Sequence, residues 1–163
     1  KELGENVEII SLENVGLGQL EKPQYGEKEK SNRDMAQSIE KINNSEGLIF
    51  VVPEYNGSFP GALKYFIDHW DYPASFEHRP VCFVGLGGRF GGLRPVEHLQ
   101  GVFGYRNAYM FPERVFLTNI WDVLTDNGLE DELTGGLLRK QAEGFQKFVR
   151  ALKSESLLPP ISQ

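Results

Sequence analysis

The feature that most constrains this chain is Leu48-Ile49-Phe50-Val51-Val52, an unbroken apolar run rich in β-branched residues and halted by Pro53. A strand without polar alternation is predicted to be buried on both faces, which points to a parallel sheet. Pro53 ends the run because it has no N–H for the ladder. Behind it come the turn residues Asn56, Gly57, Ser58, Pro60 and Gly61, then Leu63, Phe66, Ile67 and Trp70 at i, i+3, i+4 and i+7. That spacing predicts a helix ending near Trp70, with Ser58 as its cap and Pro60 near its first position. Strand, loop and amphipathic helix in this order begin a right-handed βαβ crossover.

The pattern repeats. Pro80 opens a strand over Val81-Cys82-Phe83-Val84, the stretch Gly85 to Gly92 follows, and Val96, Leu99 and Phe103 mark the next helix. Upstream, Leu3-Gly4 reads as the end of a helix, Asn6 to Leu12 as a buried strand and Val15 to Lys30 as a long surface loop. Ser31 and Asp34 suit a capping box for a helix over Asn32 to Asn43, whose apolar face is Met35, Ile39 and Ile42. Downstream, Asn107 to Met110 and Arg114 to Thr118 read as a strand interrupted by Pro112, and Asp126-Asn127-Gly128 as a turn. The last helix is predicted over Glu130 to Lys153, with Leu133, Leu137, Phe145, Phe148, Val149 and Leu152 on its apolar side. Residues 1–156 are thus expected to form one α/β domain with a doubly wound parallel sheet, and 157–163 a C-terminal tail. Ligands of such sheets bind at the carboxyl ends of the strands, so the loops after strands matter most.

Composition narrows the function. The 163 residues hold 17 Lys and Arg against 23 Asp and Glu, a net charge of −6. This balance repels phosphate backbones and anionic lipid, so neither nucleic acid nor a membrane is expected as partner. Cys82 is the single cysteine, which excludes an intramolecular disulfide and suits a reducing, cytoplasmic compartment. Its setting between Val81 and Phe83 predicts an inert buried thiol. The charged opening Lys1-Glu2-Leu3-Gly4 lacks an apolar h-region, so no signal peptide is expected. His69, His78 and His98 show no metal-ligand spacing and carry no predicted chemistry. Ser58 lacks the G-x-S-x-G setting of a nucleophile elbow.

Two loops carry the candidate chemistry. In Pro53-Glu54-Tyr55-Asn56-Gly57, prolines and glycines bend the backbone so that amide N–H groups face outward near a helix N-terminus, and Tyr55 adds a planar surface. The alternative is a plain turn with Glu54 as a solvated carboxylate. In Gly87-Gly88-Arg89-Phe90-Gly91, scarce side chains let backbone amides approach a flat heterocycle, with Arg89 for an anion and Phe90 for stacking. Phe90 stands where a dinucleotide fingerprint needs its third glycine. The alternative here is a loop that needs positive φ angles for structural reasons alone.

The run Val52-Pro53-Glu54-Tyr55-Asn56-Gly57-Ser58, continued by Pro60-Gly61-Ala62-Leu63-Lys64 and Ile67-Asp68, closely resembles the signature of NADPH-dependent FMN reductases, the flavodoxin-like group that includes quinone, azo-dye and chromate reductases. The resemblance implies a three-layer flavodoxin-like fold. It implies bound FMN, with Pro53, Glu54, Tyr55, Asn56 and Gly57 wrapping the isoalloxazine ring and Gly87, Gly88, Arg89, Phe90 and Gly91 on its pyrimidine side. NADPH or NADH would reduce the flavin, a small-molecule acceptor (a quinone, azo compound or metal oxyanion) would reoxidise it, and the subunits would form a homodimer or homotetramer. A flavodoxin-type electron carrier and a hydrolase built on Ser58 are the competing readings. Two departures stand out. Family members begin with a strand and a phosphate-binding loop that have no counterpart before Asn6, so a preceding strand, loop and part of a helix are expected in the folded protein. His69 also separates Asp68 from Trp70, where the family more often joins the two.

Overall fold

The computed structural model describes residues 7–14, 33–126 and 128–160. Its elements run α1 (Arg33–Asn43), β1 (Leu48–Pro53), α2 (Gly61–Ile67), β2 (Pro80–Leu86), α3 (Leu93–Tyr105), β3 (Tyr109–Leu117), a single turn α4 (Ile120–Val123), a short hairpin of β4 (Leu124–Thr125) and β5 (Gly128–Leu129), and α5 (Glu132–Ser154). The longer strands pair in parallel in the order β1-β2-β3. Parallel neighbours need crossovers, and α2 and α3 supply them. The fold is the expected flavodoxin-like α/β class.

The pleat of β2 sorts the core into layers, because successive side chains leave a strand on opposite faces. Val81 and Phe83 enter a cluster with Met35 and Ile42 of α1, Phe66 of α2, and Val96, Leu99 and Phe103 of α3. Cys82 faces the other way, onto Phe111 and onto Phe145 and Val149 of α5. Along α3 the apolar i, i+3, i+7 positions predicted from spacing are all fully buried.

Several expectations are corrected. Leu48 to Val52 is buried on one face only: Phe50 and Val52 join the core, whereas Val51 is 61% exposed, because α5 packs chiefly on β3 and β2. Asn6 lies outside the described residues, and Val7 to Ser11 forms no strand and does not pair with β1. Side-chain contacts hold this segment in place of a ladder: Ile10 and Leu12 pack on the core, and Glu8 Oε2 lies 3.1 Å from Lys41 Nζ on α1. Ile9 is left 87% exposed. The readings of Leu3-Gly4, Val15 to Lys30 and the Ser31 cap fall outside the described residues.

Pro112 does not interrupt its strand. β3 is continuous through it, and the β2–β3 register shifts between Val81 and Phe83. The bulge is sealed by Gln141 of α5, buried to 3% exposure, whose Nε2 donates to Phe83 O at 2.9 Å and Glu113 O at 3.0 Å. The same helix begins at Glu132 with Asp131 as its cap, which accepts from Thr134 N. The Thr134 hydroxyl bond, aided by backbone donors, holds the Asp131 carboxyl below its ordinary range. Leu133 and Leu137, assigned to the apolar side, are exposed. The packed stripe is Leu138, Gln141, Phe145 and Val149. Leu158 returns onto the Cys82 cluster, so the start of the predicted tail belongs to the packed domain.

Candidate active site

Register places the two candidate loops side by side. Val52 is opposite Gly85 and Pro53 opposite Leu86, and Glu54 N still donates to Leu86 O at 2.9 Å as the chain leaves β1. Beyond it, Tyr55 N donates to Ser58 O at 2.8 Å and Ser58 N to Tyr55 O at 3.1 Å. The residues between them, Asn56 and Gly57, have φ of 52° and 76°. Positive φ at both central positions defines a type I′ turn, which is why Asn-Gly occupies it.

The second crest is built more tightly. A Cβ on Gly92 would lie 2.6 Å from Leu86 N, and one on Gly87 2.8 Å from Gly92 N. Gly87 and Gly91 are buried beneath the crest, so for them the structural reason is sufficient. Gly88 is half-buried, and Arg89 and Phe90 face outward. The loop after β3 braces this crest from behind, with Asn119 N donating to Gly88 O at 2.9 Å and Ile120 N to Gly87 O at 3.1 Å.

Among the described residues, the backbone N–H groups of Asn56 and Gly57 on one crest, and of Gly88, Arg89 and Phe90 on the other, donate to no group of the chain. Backbone donors of folded proteins are almost always satisfied by protein or solvent, so this concentration on adjoining loops marks a surface suited to an electron-rich edge. Tyr55 and Phe90, each 61% exposed, set an aromatic face on each crest. The Arg89 guanidinium lies 5.7 Å from the Phe90 ring, and that of Arg94 stands beside Gly57. Trp121, which the sequence reading passed over, sits against Gly88 and would lie 3.3 Å from a Cβ there. Its signal was its place just after a third strand, since every strand end contributes to this edge of the sheet.

Ser58 is not a cap. Pro60 holds the cap position of α2, which has no side-chain cap, and Ser58 Oγ instead lies 2.8 Å from His98 Nδ1 on α3. His98 thereby joins the site although its sequence gave no hint of it. The largest described cleft, about 700 Å³, starts at this pair and runs between α2 and α3 rather than between the crests. Trp70 lies on its wall, with an indole N–H that is buried and without a partner among the described residues.

The other polar candidates have local roles. Lys64 pairs with Asp68 across one turn of α2, Asn43 Nδ2 donates to Asp71 at 3.2 Å, and His69 Nδ1 is 2.8 Å from Tyr65 O. Cys82 is buried, and loss of hydration pushes its thiol up to about 12. No grouping of three His, Cys, Asp or Glu suited to a metal occurs among the described residues.

Residues 1–122 match the family model described as NADPH-dependent FMN reductase. The chain belongs to that family. It is 31% identical over 120 residues to an NAD(P)H-dependent FMN reductase of Pseudomonas aeruginosa, a match covering 70% of this chain and 64% of the relative. It is 30% identical over 128 residues to the quinone reductase of Escherichia coli, covering 70% and 64%. Its fold is similar to that of FerB, a flavoenzyme NAD(P)H:(acceptor) oxidoreductase from Paracoccus denitrificans, with a TM-score of 0.64 at 21% identity, covering 84% of this chain and 79% of that one. The FMN reductase chain spans less than two-thirds of the length of these curated relatives, at 64% of each.

Proposed function

We propose that this chain is the flavin-binding part of an NAD(P)H-dependent oxidoreductase that carries FMN between its two crests and reduces a small-molecule acceptor. The observation that carries the reading is the set of backbone donors at Asn56, Gly57, Gly88, Arg89 and Phe90, which have no acceptor in the chain. These residues fit a flat, electron-rich ring: donors on both sides, a glycine cradle with little side-chain bulk, and aromatic faces at the rim.

When bound, FMN supplies the redox chemistry, accepting a hydride from NADPH or NADH and handing electrons to a quinone, azo compound or metal oxyanion. The chain binds and orients. Amides of the Gly88 to Phe90 loop aim partial positive charge at the ring edge where negative charge grows on reduction, and their fixed directions need no reorganisation. The type I′ turn at Asn56-Gly57 holds the opposite donors, with Pro53 stiffening its approach. Tyr55 and Phe90 flank the ring and keep water from one side. Glu54, half-buried with Oε2 3.4 Å from where a Gly87 Cβ would stand, closes the gap between the crests. Exposed Tyr55, with Phe59 nearby, supports pairing of copies into a homodimer or homotetramer.

The test is an FMN titration followed by flavin absorbance and fluorescence, with NADPH oxidation measured in the presence of a quinone. The reading expects saturable FMN binding, abolished by Gly88→Val, and acceptor-dependent NADPH oxidation. Undiminished FMN occupancy in Gly88→Val contradicts the site. FMN binding without NADPH oxidation favours a carrier of the flavodoxin type.

A further inference from the structure

We infer that the cleft between α2 and α3 is a docking site for a planar aromatic carbonyl compound bearing an acidic group, such as a sulfonated quinone. The inference rests on the proposed function, since it names the class of electron acceptor. At about 700 Å³ the cleft has the size of a small-molecule site. Its walls are apolar and largely aromatic, formed by Ile67, Trp70, Phe76 and Val102, which suits a flat ring system.

Both polar ends of such a ligand have a counterpart. At the crest end stands Ser58 with His98. When the imidazole donates from Nδ1 to Oγ, the serine O–H is left to donate outward to a carbonyl oxygen. Ser58 also closes the Tyr55–Ser58 turn, so the cleft begins at the proposed flavin site. At the far end lies Arg106, whose guanidinium stacks at 4.7 Å from the Tyr72 ring centroid and 5.2 Å from that of Tyr105. No carboxylate pairs with it among the described residues. A cation held by aromatic faces and free of any acid is available to a sulfonate or carboxylate. Trp70 adds an indole N–H that lacks an acceptor. Lys64, the other cation of the cleft, is already engaged by Asp68.

The chain has two tryptophans, Trp70 and Trp121, so in a Trp121→Phe background all tryptophan emission comes from the cleft. The experiment titrates that protein with anthraquinone-2-sulfonate, alongside a separate FMN titration and light scattering. Gly101→Phe is the blocking variant, because a Cβ at Gly101 meets nothing within 4 Å and the ring would fill the cleft without displacing the helix. Saturable quenching of Trp70 is expected, weakened at least tenfold by Gly101→Phe and by Arg106→Gln, with FMN affinity unchanged in both. Quenching of equal affinity in both variants, or none in the parent, overturns the inference. If light scattering shows a dimer that Gly101→Phe dissociates, and the probe does not bind the parent, a second copy covers the cleft and the inference is likewise overturned. Failure of FMN binding beside intact, Gly101-sensitive quenching would sink the flavin reading and leave the cleft assignment standing.

Discussion

Ser58 and His98 meet across 40 residues of chain, Oγ to Nδ1 at 2.8 Å, and so tie the first ligand-facing turn to the helix that follows the second. The pair is exposed, so its worth as a tether is modest. Ser58→Ala and His98→Ala are each expected to lower unfolding free energy by about 0.5–1.5 kcal/mol. Because they remove the same bond, the double variant should cost less than the sum. Urea unfolding at matched m-values checks this, and strict additivity would show that the bond contributes nothing.

Cys82 makes stability fall at high pH. Burial raises its folded thiol to about 12 from an ordinary 9.0, so between those values the unfolded chain loses a proton that the folded one keeps. Stability is complete below about pH 9 and declines by about 1.4 kcal/mol per pH unit as pH rises through the window. Cys82→Ala removes that slope while costing some packing. The check is the difference in urea midpoints between parent and variant at pH 8 and pH 11, which should narrow at the higher pH. Native Cys82 should also resist thiol reagents at pH 8 until the protein unfolds.

Arg79 is fully buried and holds the end of the α2–β2 connection to the α1–β1 turn. Its guanidinium donates to Ala74 O at 2.9 Å and Asn43 O at 3.3 Å and also to Ser45 O, and burial pulls its pKa down to about 10. It stays charged at neutral pH. Arg79→Ala strips donors from buried carbonyls and opens a cavity, for an expected loss of about 3 kcal/mol or more. Chemical denaturation measures it, and a loss under 1 kcal/mol would contradict the assigned role.

Two glycines predict opposite outcomes. Gly101 lies in α3 with open space around its missing side chain, so Gly101→Ala should stabilise by about 0.5–1 kcal/mol through helix propensity. Gly92 has φ of 79° and would press a Cβ to 2.6 Å from Leu86 N, so Gly92→Ala should destabilise by well over about 1 kcal/mol. Thermal unfolding of the two variants should move in opposite directions.

The fold was legible where local spacing decides packing. Met35, Ile39 and Ile42, or Val96, Leu99 and Phe103, are buried because a helix of 3.6 residues per turn has to place them together. The adjoining crests were legible for the same reason, since consecutive parallel strands end at one edge. What escaped depends on partners remote in sequence. Ser58 satisfies a local capping pattern, yet its bond goes to His98. Pro112 resembles a strand breaker until Gln141 arrives from α5 to close the bulge. Val51 carries a buried-strand pattern, yet its exposure depends on where a distant helix lies.

The central claim is that main-chain donors on two adjoining crests hold a flat redox ring. The most direct measurement is a titration of isotopically labelled protein with FMN, following backbone amide resonances. Asn56, Gly57, Gly88, Arg89 and Phe90 should shift more than the rest and saturate at the ratio given by flavin absorbance. If those resonances stay in place while FMN binds and moves others, the claim is wrong.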